Sequence, residues 1–219
     1  MQKKLVRSRL LRRKTNTEEV KMMEFREEQW MQERQRVAEL RPMDPVFMQC
    51  MFAYNPHLLE KTAGIILQRR DLVRKGRPET GNAVSIRMRD RMETEIRVFI
   101  TGEGFLSVRK MMGIVPYDPQ KTGRAEFDIR IAENDVFGQG WPVYCFESGT
   151  VTRLYINGQY RRESALSCLL HDFRCRNPDN MLLPEMILTV RRLKESETGI
   201  RYVLRSLYSE QPDRTAAFG

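Results

Sequence analysis

The apolar residues of this chain change their spacing at one segment, which contains Gly76, Pro78 and Gly81. Before this segment they recur at intervals of three and four residues, which is typical of helices that pack by one face. After it they alternate with polar residues, which is typical of strands that bury one face of a sheet. Because one chain carries both patterns, the sequence predicts a mixed α/β fold.

Helices are expected on both sides of this change. Asp44 and Pro45 have the residue types of a helix N-cap and a first helical residue, and a second helix follows closely. Further helices are expected near residues 166–173 and from 184 to 198, with Gly199 as the C-terminal stop of the latter. The inward-facing residues of these helices are predicted to be Phe47, Met48, Met51, Phe52, Leu59, Ala63, Ile66, Leu67, Leu166, Leu169, Leu170, Phe173, Met186, Ile187, Val190 and Leu193.

The clearest strand pattern runs from Arg91 to Ile100, where apolar and charged residues alternate. The pattern places two acids, Glu93 and Glu95, on one strand face. A turn at residues 102–104 and a returning strand are expected next. Further strands are expected near residues 127–131, 143–146 and 153–156.

The positive charge of the chain is concentrated at its N-terminus. The net charge is +9, and the first fourteen residues contain no acid. Their basic residues are Lys3, Lys4, Arg7, Arg9, Arg12, Arg13 and Lys14. This basic arm, residues 1–14, either contacts DNA phosphates, which requires charge rather than shape, or is a solvated tail.

A long helix is expected over residues 15–41, because Thr15 and Glu18 form a capping box and Pro42 stops the helix. Its apolar stripe is thin, so the helix either lies across its own domain or binds a partner, which could be a second copy of the chain.

Several classes of protein are disfavoured by composition. No run of eighteen apolar residues exists, so we expect no membrane span and a cytoplasmic protein. The four cysteines are scattered without zinc-ligand spacing and are expected to be reduced and structural. His57 and His171 are the only histidines, which leaves little material for histidine-based catalysis.

Several sequence blocks resemble one known family. They are Met43–Met48, Ile131–Gly138, Gly140–Tyr144, Tyr155–Arg162 and Leu169–Met181, and they occur in the family's order. The chain from about residue 41 to 200 thereby resembles the Rpn family of recombination-promoting nucleases, also called PD-(D/E)XK nuclease family transposases. The resemblance implies a restriction-endonuclease-like core, with a mixed sheet flanked by helices. It suggests a nuclease-like domain at 42–205, preceded by the arm and the helical extension and followed by a tail at 206–219.

The resemblance also implies a catalytic site in which acids hold Mg²⁺ or Mn²⁺ and the protein cleaves DNA. Glu95 corresponds to the first metal acid, with Glu93 as its same-face alternative. Asp44 matches an early helix acid that could join the metal site, although capping a helix explains it fully and is the favoured interpretation. The returning strand carries Arg109 and Lys110 where the second acid is expected. An arginine there would repel a divalent cation but bind phosphate.

These features lead to the expectation of a DNA-binding relative of recombination-promoting nucleases, from a mobile-element setting, with weak or lost cleavage. One alternative is an active endonuclease whose second acid has moved to Asp118, Glu126 or Asp128. Another is a protein-interaction module that acts through the helix at 15–41. His171 and Asp172 could form a catalytic dyad, but a structural role at the end of a helix is favoured.

Overall fold

The computed structural model describes residues 23, 25–81, 83–102, 115–119, 126–135 and 137–209. The chain divides into two compact units, Met1–Glu39 and Leu40–Gly219. The described part of the first unit is essentially one helix, α1, over residues 25–39. The expected capping box at Thr15 and Glu18 lies outside the described residues. So do the basic arm and the whole of the predicted returning strand, residues 105–110.

The second unit is built on a seven-stranded sheet in the order β1-β2-β3-β5-β7-β6-β4. Its strands are β1 Val73–Glu79, β2 Val84–Arg89, β3 Glu95–Gly102, β4 Val115–Pro116, β5 Glu126–Ile131, β6 Val143–Ser148 and β7 Val151–Ile156. Strands β1, β2 and β3 form an antiparallel meander, whereas β3, β5 and β7 run parallel to one another. The sheet is therefore mixed, and the mixed α/β class expected from the sequence is confirmed.

Helices flank this sheet. They are α2 Pro45–Tyr54, α3 Pro56–Ile66, α4 Ala165–Arg174, α5 Pro184–Glu195 and α6 Glu197–Ser209. Polar side chains start two of them: Asn55 accepts a hydrogen bond from the amide of Leu58, and Ser164 does the same for Ser167. No helix within the described ranges has the length and apolar character needed to cross a bilayer.

The two faces of the sheet differ in character. Helix α2 packs against β1, β2 and β3, and also against α5 and α6. The strand residues on the side of α2 are buried and mostly apolar; they include Val84, Ile86, Met88, Ile96, Val98, Ile100, Phe127, Ile129, Ile131, Leu154 and Ile156. Alternation then directs the charged residues of the same strands to the opposite face.

Gly199 does not end a helix, so the sequence prediction for this residue was wrong. Helix α5 ends at Glu195, and Gly199 lies in the first turns of α6, which continues to Ser209. A Cβ at Gly199 would come within 2.2 Å of the carbonyl oxygen of Arg192. The glycine is required because the backbones of α5 and α6 approach closely there.

Candidate nucleic-acid interface

A turn at residues 90–94 joins β2 to β3, where the sequence predicted the beginning of a strand. The carboxylate of Asp90 accepts hydrogen bonds from the amides of Met92 and Thr94, both at 2.9 Å. Glu93 lies in this turn with a φ of 61°, and its carboxylate pairs with Arg89 at 2.7 Å. Strand β3 begins only at Glu95. The expectation that Glu93 and Glu95 share a strand face is therefore wrong, because an aspartate-organised turn competes with the strand.

The same turn is tied to the segment that follows α3. The guanidinium of Arg69 lies 2.8 Å from a carboxylate oxygen of Asp71 and 3.0 Å from one of Asp90. The hydrogen bond from Arg69 lowers the pKa of Asp71 to about 2, and it also lowers the pKa of Asp90. Both carboxylates are thus held by a structural ion pair.

Asp44 occupies the N-cap position of α2, but its side chain does not cap the helix. Its carboxylate instead accepts a hydrogen bond from the backbone amide of Arg41 at 2.6 Å and pairs with the Arg41 guanidinium. Arg41 also pairs with Glu133, which follows β5. Asp44 is therefore part of an ion-pair network that links the start of α2 to the segment after β5.

Glu95 and Asp44 lie at opposite ends of β3. Glu95 is its first residue, and Gly102, its last, lies so close to Met43 that an added Cβ would be 1.8 Å from the Met43 carbonyl oxygen. Seven steps of a strand span roughly 23 Å. Since metal–oxygen bonds are about 2.0–2.6 Å long, Glu95 and Asp44 do not share one metal ion in this arrangement.

The acids considered as relocated ligands have basic neighbours. Asp128 accepts hydrogen bonds from Arg153 at 2.8 Å and from Arg130 at 3.3 Å, and the β3–β5 register sets Glu126 beside Arg97. Within the described ranges, no group of three or more histidine, cysteine, aspartate or glutamate residues is arranged to hold a metal. Arg109 and Lys110 lie outside those ranges.

A row of basic side chains crosses the exposed face of the β1–β2–β3 meander. Lys75 pairs in register with Arg87, and Arg87 pairs with Arg97, so three cations stand side by side on adjacent strands. All three residues are exposed. Like charges directly opposite each other destabilise a sheet. We call Lys75, Arg87 and Arg97 the basic row.

The basic row lines a surface cavity of about 230 Å³, to which Arg77 and Ser85 also contribute. Lys75 pairs with Glu95 at 3.2 Å, and Arg87 has a longer contact with Glu79 at 3.9 Å. Among the described residues, neither Arg77 nor Arg97 forms a close ion pair, although Glu126 is the register neighbour of Arg97. The cavity lining thus holds four cations and one acid, Glu79, while Glu95 and Glu126 stand beside the basic row; the cavity has room and an excess of positive charge for an anion.

The basic residues around Glu95 lower its pKa. The hydrogen bond from Lys75 lowers the pKa of Glu95, and the charges of Lys75, Arg87 and Arg97 lower it further. Glu95 therefore serves as a counter-ion to the basic row.

Residues that stabilise turns occur in the sequence segments Ile131–Gly138, Gly140–Tyr144, Tyr155–Arg162 and Leu169–Met181. Asp135 accepts hydrogen bonds from the hydroxyl of Tyr144 at 2.5 Å and from the amide of Gly140 at 2.8 Å. Asn157 donates to the carbonyl of Trp141 at 3.1 Å. A Cβ at Gly158 would lie 1.8 Å from the carbonyl oxygen of Ala132. These contacts fix the connections after β5 and β7.

Asp172 is the most buried acid of these segments. It is 0% exposed, and its two oxygens accept hydrogen bonds from the amides of Leu182 and Leu183, both at 2.8 Å. His171 lies 3.1 Å from the same carboxylate, and the sulfur of Cys175 lies 3.6 Å from the His171 ring. Burial raises the pKa of the Cys175 thiol, which opposes formation of a nucleophilic thiolate. The group has the geometry of a structural support for α5.

Comparison with known protein families, with curated proteins and with solved structures finds no match to this chain.

The basic row was missed by sequence reasoning, which searched for clustered acids. A signal was present, because basic residues recur at two-residue spacing at Lys75 and Arg77 and again at Arg87 and Arg89. The spacing alone does not reveal the strand register, which brings these residues together.

Proposed function

We propose that this protein is a DNA-binding relative of recombination-promoting nucleases, in which metal-dependent phosphodiester cleavage is weak or lost. The observation that carries the proposal is the basic row with its cavity, where the lining holds four cations and one acid, Glu79, and positive charge remains in excess when the neighbouring Glu95 and Glu126 are included. Lysine ammonium and arginine guanidinium groups are the usual ligands of phosphate in proteins. A DNA backbone would supply the missing negative charge.

Weak cleavage is supported by the surroundings of Glu95. Catalysis by a metal requires carboxylates that are available to a divalent cation. The carboxylate of Glu95 is engaged by Lys75 at 3.2 Å, and Arg97 lies two residues away on the same strand face. A cation that bound Glu95 would have to displace Lys75 and would be repelled by Arg97.

An active endonuclease is the second candidate, because β3 and β5 bring further acids to the same face. Glu126 and Asp128 alternate on β5, and Glu126 neighbours Arg97 two positions beyond Glu95. Glu95 and Glu126 therefore stand on adjacent strands on one side of the sheet.

Binding can be tested by fluorescence anisotropy with a labelled 20-base-pair duplex at several salt concentrations. The test variant is Arg87→Gln/Arg97→Gln. The matched control is Arg192→Gln/Arg205→Gln, which removes the same charge from exposed positions on α5 and α6. If each arginine contacts one phosphate, the slope of log K against log salt should fall by about 1.8 and affinity at 0.1 M salt by roughly 50–100-fold. A slope equal to that of the control would exclude the basic row as the DNA surface.

Cleavage can be tested with supercoiled plasmid and Mg²⁺ or Mn²⁺. We expect binding without metal-dependent nicking. Nicking that disappears in Glu95→Ala, or in a single replacement of Asp118, Glu126 or Asp128, would instead establish an active endonuclease and identify its acid.

A further inference from the structure

An aromatic ring stands on the same sheet face as the basic row. Phe99 follows Arg97 by two residues on β3, and its register partner on β2 is Ser85, which lines the cavity. Its neighbour on the other side is Asp128 of β5. Phe99 is partly exposed, whereas the residues on either side of it, Val98 and Ile100, are buried beneath the sheet.

The ring of Phe99 lacks the ring pairs and the cation contact that several other aromatic side chains make in the described part of the chain. The aromatic pairs in the described residues are Phe52 with Phe173, Phe137 with Tyr144 and Tyr155, and Trp141 with Tyr144. Lys194 lies over the ring of Phe47. Within that part of the chain, no ring and no cation is paired with Phe99.

A partly exposed phenylalanine that stands next to Arg97, the end of the basic row, suits unpaired nucleic acid better than a duplex. A duplex offers such a surface its phosphates but no free base face, because its bases are stacked inside. A single strand offers both phosphates and free base faces, and open sheets bind such strands by stacking bases on aromatic side chains. Phe99 is one register position from the cavity, so one nucleotide could place its phosphate among the cations and its base on the ring.

We propose that the preferred ligand of this surface is single-stranded DNA, with one base stacked on Phe99 while the backbone follows Lys75, Arg87 and Arg97. The inference rests on the proposed function, because it uses the basic row as the site of phosphate binding. It adds the class of DNA and the residue that distinguishes it.

The experiment compares a labelled 20-nucleotide oligothymidylate with a duplex of the same length by anisotropy at 0.1 M salt. Phe99→Leu keeps an apolar side chain but removes the ring, and Phe99→Tyr keeps the ring. Tyr202→Leu removes an aromatic ring that is 39% exposed on α6, which packs on α2 at the opposite side of the sheet, and is the matched control.

We expect wild type to bind the single strand more tightly than the duplex. Phe99→Leu should weaken single-strand binding roughly 10-fold, which is within the range for loss of one stacked base. It should leave duplex binding unchanged, and the unchanged duplex affinity shows that the variant is folded. Phe99→Tyr should bind both ligands like wild type.

The outcomes separate the two proposals. If Phe99→Leu behaves like Tyr202→Leu on both ligands, or weakens both equally, stacking on Phe99 is excluded. The proposed function still stands if Arg87→Gln/Arg97→Gln loses affinity in the same assay. If the double arginine variant also binds both ligands like its control, the proposed function fails with it.

Discussion

Replacing Asp172 by asparagine tests whether this buried carboxylate stabilises the fold or takes part in the proposed function. The start of α5 has no capping side chain, because its N-cap residue is Leu183. The carboxylate of Asp172 takes that role from α4 by accepting the amides of Leu182 and Leu183, both at 2.8 Å. The negative charge also lies at the positive end of the α5 dipole.

The size of the expected loss in unfolding free energy follows from the hydrogen bonds that asparagine cannot make. The introduced side chain would keep one accepting oxygen, but its NH₂ group would face the other amide and leave that donor unsatisfied. A hydrogen bond to a charged group contributes about 1.5–3 kcal/mol, and a buried unsatisfied donor costs about 1–3 kcal/mol. Because these contributions overlap, we expect Asp172→Asn to lower the free energy of unfolding by roughly 3 kcal/mol.

Urea unfolding followed by far-UV circular dichroism at pH 7 measures this difference. His171→Ala is the control, because the His171 ring is 41% exposed and touches the same carboxylate. The control should change the free energy of unfolding by less than about 1 kcal/mol. A stable Asp172→Asn variant that had lost DNA binding or cleavage would refute the structural role of this carboxylate.

Two further predictions concern stability. Gly199→Ala should lower the free energy of unfolding by about 1–3 kcal/mol, because the new Cβ would lie 2.2 Å from the Arg192 carbonyl oxygen. Gly81→Ala is the control and should leave the stability nearly unchanged, because no atom lies within 4 Å of its new Cβ. Equal urea midpoints for the two variants would contradict this prediction. Arg69→Gln should reduce the sensitivity of the protein to acid. Arg69 lowers the pKa of Asp71 to about 2. The ion pair therefore stabilises the folded state fully above about pH 3.9, the pKa of an aspartate in the unfolded chain, and this stabilisation is lost as the pH falls through about 2. After a discount for the partial exposure of Asp71, the wild type should lose about 1 kcal/mol more unfolding free energy than Arg69→Gln between pH 6 and pH 2. Parallel curves of unfolding free energy against pH for the two proteins would contradict this prediction.

The sequence was sufficient for the elements whose apolar spacing is set by burial. Helix α2 and strand β5 lie where that spacing predicted them, with Phe47 and Met51 buried on the helix and Ile129 buried on the strand. The same reasoning failed at residues 91–94, because Met92 continued the alternation although it is 85% exposed in a turn. Local hydrogen bonds of Asp90 outweighed a pattern that happened to fit a strand.

Gly199 shows a second limit of sequence reasoning. A glycine after a helical pattern is typical of a helix end, but the need for Gly199 arises from the backbone of Arg192 and Leu193 on the preceding helix. Such close approaches depend on how α5 and α6 pack, and apolar spacing does not encode them.

By itself, the sequence determined the mixed α/β class and the faces of several elements, since both follow from the periodicity of neighbouring residues. Only the tertiary structure decided that Glu95 and Asp44 lie at opposite ends of β3, and that Lys75, Arg87 and Arg97 form one row. Strand order and register join residues that are distant in the chain, and a shift of one residue would move each of these side chains to the other face of the sheet. The candidate interface is therefore a property of the assembled sheet.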